Sequence, residues 1–279
     1  MKHIFLNLKR FDIPQEYGGV NRNVPIQEFG RWVVTNTQEE LKKCDASKVD
    51  FIDYLPEAHI IPAVQALSEN SPVQIGCQSV FRADSSIGGN IGAFTSNHTA
   101  NAMKACGCTS SLIGHCEERF DKKGILAEAG VTDSSAVNRI LNQEVLCAQK
   151  AGLHVLFCIG ETMEEKEEWK TVLASQLIDG LKDADLSKVT IGYEPVWSIG
   201  PGKTPADREY IQKIARFVKE TIGDVDVVYG GGLKKTNSAM LASIPEISGG
   251  LIALTRFEGS VGFYPEEYLE IVQLYLSNL

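Results

Sequence analysis

Residues 189–204 read VTIGYEPVWSIGPGKT. The first five form a short apolar run that is typical of a buried strand, and Glu194 follows where that strand would end. Proline and glycine then indicate a loop that is able to close as a unit. A carboxylate between a strand end and a closing loop can serve as a general base. Glu194 is therefore a candidate for catalysis, and the simpler alternative is a solvated turn residue.

Seven other short apolar runs share this pattern, each ending in polar or glycine-rich residues. The eight runs are 4–8, 49–55, 73–77, 111–114, 154–159, 189–193, 226–229 and 250–255. Helical spacing of apolar residues is clearest at 134–151, 205–222 and 265–276. Because strand and helix alternate eight times, the sequence predicts an α/β fold in which residues 1–279 form a single (β/α)8 TIM barrel. The active site of such a barrel lies at the carboxyl ends of its strands.

Composition argues against several classes of function. A net charge of −9 disfavours binding to nucleic acid or to an anionic membrane. No apolar run approaches the roughly 18 residues of a membrane span, and the first residues do not have the pattern of a signal peptide. The seven cysteines include no CxxC pair, and Cys106-Gly107-Cys108 has no second pair at metal-site spacing. We therefore expect reduced thiols, a cytoplasmic location and no metal site.

Other predicted strands also end in polar or glycine residues. Asn7 and Lys9 follow the first strand, where an ammonium can hold an anionic substrate. His115 follows the fourth, where a neutral imidazole can donate a hydrogen bond to a carbonyl. Gly231 and Gly232 follow the seventh, and the free amides of a glycine turn can bind phosphate. Taken singly, a lysine after a strand is more often a surface residue and a glycine run is more often a plain turn, while a lone histidine there is as often a buried structural residue.

Together these segments resemble the triosephosphate isomerase family, whose members interconvert dihydroxyacetone phosphate and glyceraldehyde 3-phosphate in glycolysis. The resemblance rests on residues 7–9 (NLK), 114–119 (GHCEER), 194–204 and 229–232 (YGGG), and it covers nearly the whole chain. It implies that Glu194 moves a proton between carbons 1 and 2 and that neutral His115 polarises the carbonyl. Lys9 and Asn7 would bind the oxygen-rich end of the substrate. The family requires no cofactor.

The resemblance extends to residues around this centre. Glu117 falls on the carboxylate that lies beside the lysine, and Gly200 falls on a lid that closes over the phosphate. Cys116 places a thiol where the family has a serine hydroxyl, which weakens one hydrogen bond. Glu161, after the fifth strand, matches a position that is mainly structural in the family. The resemblance also implies a homodimer, because the loop that corresponds to residues 81–91 inserts into the partner subunit.

The eighth strand departs from the family pattern. Leu254 and Thr255 stand where the family has two adjacent glycines whose amides complete the phosphate site. Gly259 and Gly262 could rebuild that site, or Arg256 could bind the anion through two hydrogen bonds. The remaining alternative makes Arg256 a surface residue.

Two loops, at 11–23 and 81–91, are also longer than in the family. All of these changes surround the substrate end of the barrel. They leave a second hypothesis open, in which the same proton transfer acts on another short sugar phosphate, such as a tetrulose phosphate. A catalytically silent sugar-phosphate sensor is a third hypothesis, and the presence of Glu194 speaks against it.

Overall fold

The structure is a computed structural model that describes residues 1–200 and 203–279. Eight parallel strands close into a barrel in chain order, with β1 paired to both β2 and β8. The predicted (β/α)8 barrel is therefore confirmed. The strands are β1 Lys2–Asn7, β2 Val49–Leu55, β3 Val73–Gln78, β4 Ser110–Ile113, β5 His154–Ile159, β6 Val189–Tyr193, β7 Asp226–Tyr229 and β8 Gly249–Ile252.

Nine α-helices surround the barrel in the described part of the chain, and none of them is both long and apolar enough to cross a bilayer. They are α1 Phe29–Leu41, α2 Glu57–Ala66, α3 Ala100–Ala105, α4 Cys116–Glu128, α5 Ser135–Lys150, α6 Trp169–Gly180, α7 Arg208–Ile222, α8 Ser238–Ala242 and α9 Pro265–Leu276. Helix α4 was not predicted, because it has no apolar stripe and none of its residues is fully buried.

Two predicted boundaries shift for local reasons. Helix α7 begins at Arg208 rather than at Pro205, because the Asp207 side chain caps it by accepting a hydrogen bond from the Tyr210 N–H at 2.8 Å. Strand β8 ends at Ile252 rather than at Thr255. The chain beyond it turns back in a short antiparallel bridge between Arg256 and Gly262.

The hydrophobic core has two layers, as expected for strands that are buried on both faces. The larger layer lies between strands and helices. The smaller one fills the barrel and consists of Phe5, Ile52, Tyr54, Leu112, Leu156, Cys158, Val228 and Leu251. Gly76 leaves room for the Tyr54 ring, since a Cβ at residue 76 would lie 2.5 Å from Tyr54 Cδ1.

A buried ionic cluster closes the amino end of the barrel. His3 lies between Asp50, at 2.7 Å from Nδ1, and Asp226, at 2.8 Å from Nε2. Burial alone would lower the pKa of His3, but hydrogen bonds to the two carboxylates outweigh it and raise the pKa to about 9. This end of the barrel is filled, so the opposite end carries the candidate site.

Candidate active site

Glu194 directly follows β6, and its side chain is buried among backbone groups of neighbouring strands. Its N–H donates to the Ile159 carbonyl at 2.7 Å, which holds it against the end of β5. Two glycines leave room for it. A Cβ at Gly160 would lie 1.8 Å from the Glu194 carbonyl oxygen, and a Cβ at Gly230 would lie 2.7 Å from Glu194 Cγ. Larger residues at these positions would displace the proposed base.

His115 is the N-cap residue of α4 and lies beside Glu194. Its Nδ1 accepts a hydrogen bond from the Glu117 N–H at 3.2 Å, and its Nε2 lies 3.2 Å from Glu194 Oε1. An imidazolium has no acceptor nitrogen, so the bond to Glu117 favours the neutral ring with its proton on Nε2. The structure thus brings together His115 and Glu194, two predicted residues that are far apart in sequence. His115 supplies a hydrogen-bond donor, and Glu194 supplies a carboxylate.

The residue before His115 is held on both sides. The N–H of Gly114 donates to Glu118 Oε2 at 2.6 Å, and Arg119 Nε donates to the Gly114 carbonyl at 2.8 Å. Arg119 Nη2 also donates to the Cys158 carbonyl at 2.8 Å, which ties β4 to β5. Burial lowers the pKa of Arg119 to about 10, so the side chain stays cationic at neutral pH. The role of Glu118 was not predicted.

Lys9 lies at the same mouth of the barrel and pairs with Glu117, as the family resemblance implied. The Lys9 Nζ lies 2.7 Å from Glu117 Oε1. Burial would raise the pKa of Glu117, but the hydrogen bond and charge of Lys9 outweigh it, and the pKa is lowered. Lys9 has a left-handed backbone, with φ of 40°. Asn7 Oδ1 supports it by accepting from the Lys9 N–H at 3.0 Å, and Gln78 donates to the same oxygen.

Cys116 contributes both its amide and its thiol to this centre. Its N–H donates to Glu194 Oε2 at 2.9 Å. Its Sγ lies 3.8 Å from His115 Nδ1 and 4.0 Å from Nε2. Burial and the nearby Glu194 charge raise the pKa of the thiol to about 12, so it is protonated at neutral pH. The three side chains of His115, Cys116 and Glu194 also have the donor types and spacing of a metal site.

Glu161 anchors the segment that leaves the site. Three donors converge on its Oε1: the Tyr193 hydroxyl at 2.9 Å, the Trp197 Nε1 at 2.8 Å and the Tyr210 hydroxyl at 3.0 Å. Trp197 directly precedes the predicted lid, so a fully buried carboxylate fixes the residue from which the lid departs. The lid prediction covered 198–202, of which 201 and 202 lie outside the described residues. Gly200 is described, with φ of 113°.

The glycine turn after β7 presents free amides. The N–H of Gly230 donates to the Tyr193 carbonyl at 2.7 Å, and that of Leu233 donates to the Leu251 carbonyl at 2.9 Å. Between them, the N–H groups of Gly231 and Gly232 have no hydrogen-bond partner among residues 1–200 and 203–279. Gly232 has φ of 97°, a backbone conformation that favours glycine. This geometry fits the predicted anion-binding turn.

Arg256 is engaged elsewhere in this structure. Its Nε and Nη2 donate to Glu267 Oε1 at 2.8 and 2.6 Å, and its guanidinium lies 3.7 Å from the centre of the Tyr264 ring. The N–H of Gly262 donates to the Arg256 carbonyl at 3.2 Å, so that amide is also occupied. Phosphate binding by Arg256 stays a prediction, and it would require the guanidinium to leave Glu267.

Sequence reasoning missed Lys234, which crosses the glycine turn. Its Cε lies 3.2 Å from where a Cβ on Gly232 would be, and its Nζ lies 4.1 Å from the centre of the Phe257 ring. No carboxylate of the described residues pairs with this ammonium. Burial lowers the pKa of Lys234. The only sequence signal was its place two residues after Gly232.

Comparison with known proteins agrees with this arrangement. A family profile described as triosephosphate isomerase matches residues 27–273. A triosephosphate isomerase of Geobacter metallireducens is 31% identical over 80% of this chain and 90% of its own length. One from Chlorobaculum tepidum is 30% identical over 88% of this chain and 98% of its own length. The crystal structure of triosephosphate isomerase from Bartonella henselae shares the fold, with a TM-score of 0.71, 22% identity and 99% of each chain covered. The chain therefore belongs to the triosephosphate isomerase family of isomerases.

Proposed function

We propose that this protein interconverts dihydroxyacetone phosphate and D-glyceraldehyde 3-phosphate through an enediolate. The Glu194 carboxylate takes a proton from carbon 1 of the ketose. His115 Nε2–H donates to the carbonyl oxygen on carbon 2, where negative charge develops. The proton of the hydroxyl on carbon 1 passes through His115 to the oxygen on carbon 2, and Glu194 returns its own proton to carbon 2, which yields the aldose. Lys9 adds a positive charge beside the oxygens, and Asn7 holds the backbone of Lys9 in place.

The observation that carries this proposal is the 3.2 Å separation between His115 Nε2 and Glu194 Oε1 at the mouth of the barrel. A neutral donor and a buried carboxylate in contact form the pair that proton transfer next to a carbonyl requires. The family membership reported above restricts the substrate to a phosphorylated sugar.

Turnover of glyceraldehyde 3-phosphate by purified protein tests the proposal. We expect kcat/KM to approach the diffusional ceiling of about 10⁸ M⁻¹s⁻¹. Glu194→Gln, purified in the same way, measures contamination by the host enzyme. A wild-type rate equal to that of Glu194→Gln would exclude the reaction.

We further propose that the Gly231 and Gly232 amides bind the phosphate together with Lys234. An unpaired, half-buried ammonium beside two free amides offers both charge and hydrogen bonds to an anion. This arrangement supplies what the absent glycine pair after β8 supplies in the family. Gly200 of the lid would cover the phosphate from the other side.

A second candidate function is isomerisation of a longer sugar phosphate, such as a tetrulose phosphate. The specific observation in its favour is the end of β8. The Thr255 N–H donates to the Gly262 carbonyl at 3.1 Å, so it is not available to a phosphate at the position that the family uses. A phosphate displaced toward Lys234 would leave space for one more carbon. A kcat/KM higher on erythrose 4-phosphate than on glyceraldehyde 3-phosphate would favour this candidate.

We propose that the working form is a homodimer. In the loop between β3 and α3, the side chains of Ile87 and Ile91 are fully exposed. Ile91 also has φ of 53°, which is unfavourable for a β-branched residue. Apolar side chains on a projecting loop are typical of a surface that a partner covers. An open pocket of about 620 Å³ beside α4, lined in part by Ile125 and Ile140, offers an apolar surface for the tip of the partner's loop.

Analytical ultracentrifugation tests the dimer. We expect a dimer for the wild type and a monomer for the double variant Ile87→Ser/Ile91→Ser. Ile178→Ser is a matched control, since it removes an exposed isoleucine on α6 that lies outside this loop. A wild type that sediments as a monomer at micromolar concentration would exclude the proposal.

We also propose a reducing, cytoplasmic location. Its support is that all seven cysteines are free thiols in the structure, three of them buried. Fractionation of the source cells with an antibody to the protein would test it, and recovery outside the cytoplasm would contradict it.

A further inference from the structure

We propose that His115, Cys116 and Glu194 form a site for a thiophilic divalent cation of the Zn²⁺ class, and that a cation bound there blocks the isomerase reaction. One imidazole nitrogen, the thiol sulfur and one carboxylate oxygen all lie within 4.8 Å of one another. The spacing of cysteines along the chain predicted no such site. The carboxylate of Glu194 follows β6, and the other two ligands lie at the start of α4, so the three meet only in the folded barrel.

The nitrogen and oxygen atoms are spaced for one tetrahedral ion, whereas the sulfur has to move to join them. Zinc bonds of roughly 2.0–2.1 Å to nitrogen, 2.0–2.2 Å to oxygen and 2.3 Å to sulfur place neighbouring nitrogen and oxygen about 3.4 Å apart, and nitrogen and sulfur about 3.6 Å apart. His115 Nε2 lies 3.2 Å from Glu194 Oε1 and 4.0 Å from Cys116 Sγ. The sulfur lies almost as close to Nδ1, at 3.8 Å, as to Nε2, so the Cys116 side chain must rotate and carry Sγ by more than about 1 Å to reach an ion in front of Nε2.

The thiol sets the class of cation. Nitrogen, thiolate and carboxylate together suit zinc and related soft ions, whereas magnesium, calcium and manganese prefer oxygen ligands. Three protein ligands leave a fourth position for water, as in zinc sites that exchange ligands. A serine at residue 116, the residue that the family resemblance implies, would remove the soft ligand. The site is thus a consequence of Cys116 in this particular chain.

Protons must move when the ion binds. The thiol loses its proton to become a ligand. On His115, the proton moves from Nε2 to Nδ1, and the ring gives up the bond from the Glu117 N–H. Glu117 Oε2 lies 3.7 Å from Nδ1 and can accept the relocated proton, which forms the carboxylate–histidine pair that commonly supports a bound metal.

Some of the charges around the thiol attract a divalent cation, and one repels it. Carboxylates of Glu194 and Glu117 favour a dication, and the Lys9 ammonium opposes it. Cys158 also lies close enough to interact electrostatically with Cys116. Because both carboxylates lie within contact distance of the donor nitrogens, we expect the attraction to exceed the repulsion.

A bound ion removes both catalytic functions at once. Glu194 cannot accept a proton while its oxygen is a ligand, and His115 has no Nε2–H to donate. This inhibition rests on the proposed function, whereas binding of the ion does not. The two parts therefore need separate measurements.

Binding is tested with Co²⁺ as a spectroscopic substitute for zinc. We expect an absorption band from thiolate-to-cobalt charge transfer in the wild type. The band should be absent in Cys116→Ser and retained in the control variants Cys106→Ser and Cys147→Ser, which remove half-buried thiols elsewhere. Circular dichroism verifies that each variant is folded. A band of equal intensity in Cys116→Ser would overturn the proposed site.

Inhibition is tested by titrating Zn²⁺ into the turnover assay, with the triose phosphates followed directly by NMR so that no coupling enzyme is exposed to the metal. Each variant is compared with its own zinc-free rate. We expect half-inhibition of the wild type at a zinc concentration at least tenfold below that of Cys116→Ser, and full recovery with a chelator. Equal sensitivity would refute inhibition through this site. A cobalt band in a protein without isomerase turnover would retain the metal site and reject the proposed function.

Discussion

The backbone N–H of Cys116 donates to Oε2 of Glu194 at 2.9 Å. The first turn of α4 thereby holds the carboxylate that follows β6, while His115 at the same helix start contacts its other oxygen. A helix N-terminus stabilises a negative charge. Both oxygens of the proposed base are therefore occupied in this structure.

Shortening the proposed base should impair chemistry while leaving the fold intact. We expect Glu194→Asp to lower kcat by about 10²–10⁴-fold, because the carboxylate withdraws from the substrate carbon. The thermal unfolding temperature should change little, since the charge and its hydrogen-bond donors remain. The measurement is steady-state kinetics on glyceraldehyde 3-phosphate beside a calorimetric melt. Turnover close to wild type in Glu194→Asp would mean that another group is the base.

The phosphate site can be assigned by comparing two cations. We expect Lys234→Met to raise KM for glyceraldehyde 3-phosphate by at least about tenfold, which corresponds to ~1.4 kcal/mol of binding free energy. Arg256→Ala should raise KM less, because its guanidinium is already bound to Glu267. Inhibition by inorganic phosphate should weaken in parallel with KM. If only Arg256→Ala raised KM, the phosphate would lie at Arg256, and Lys234 would be a surface residue.

The anchor of the lid can be tested at Glu161. We expect Glu161→Gln to lower both kcat and stability, the latter by about 1–3 kcal/mol, because three donors, one of them buried, lose a charged acceptor. Trp197 would then leave its fixed orientation, and its fluorescence should report this change. Glu167→Gln, which changes an exposed glutamate in the same chain segment, is the control. Wild-type kinetics and fluorescence in Glu161→Gln would show that the lid does not depend on this contact.

Stability should fall between about pH 4 and pH 7 because of Asp53. Its carboxylate is buried between β2 and α9, and neither oxygen has a hydrogen-bond partner within the described ranges. Burial raises its pKa to about 7, compared with ~3.9 in an unfolded chain. Between these two pKa values the folded state binds more protons than the unfolded chain. The free energy of unfolding therefore decreases as pH rises from the lower value to the higher one, by up to ~4 kcal/mol.

Asp53→Asn removes this titration. Relative to wild type, the variant should gain free energy of unfolding between pH 4 and pH 8, measured by urea denaturation at each pH. Asp121→Asn, at an exposed position of α4, is the control and should show no such trend. A constant difference between Asp53→Asn and wild type at all pH values would falsify the assignment.

Local sequence was sufficient to predict the barrel and to predict that Lys9, His115 and Glu194 lie at the ends of its strands. Strands β2, β5, β6 and β7 begin and end where their apolar runs do, because burial on both faces leaves a signal in every residue of a strand. Parallel strands that close in order bring all their carboxyl ends to one rim. The polar residues after β1, β4 and β6 therefore had to meet, as Lys9, His115 and Glu194 do.

Pairing of side chains across the rim could not be predicted in this way. Nothing near Arg256 in the chain indicated that Glu267 would hold its guanidinium, and nothing near Lys234 indicated that its ammonium would remain unpaired above the glycine turn. Helix α4 was missed for a related reason, since a helix without a fully buried apolar face has no apolar period to detect.

Periodicity along the chain records which face of an element is buried, and that is a local property. The atom that a given side chain contacts depends on closure of the barrel, which joins elements that are distant in sequence. Cys116 and Glu194 illustrate the difference. Glu194 was a candidate from its own strand end and Cys116 from the family resemblance, but only the closed barrel places the Cys116 amide 2.9 Å from the carboxylate and its thiol beside the same imidazole.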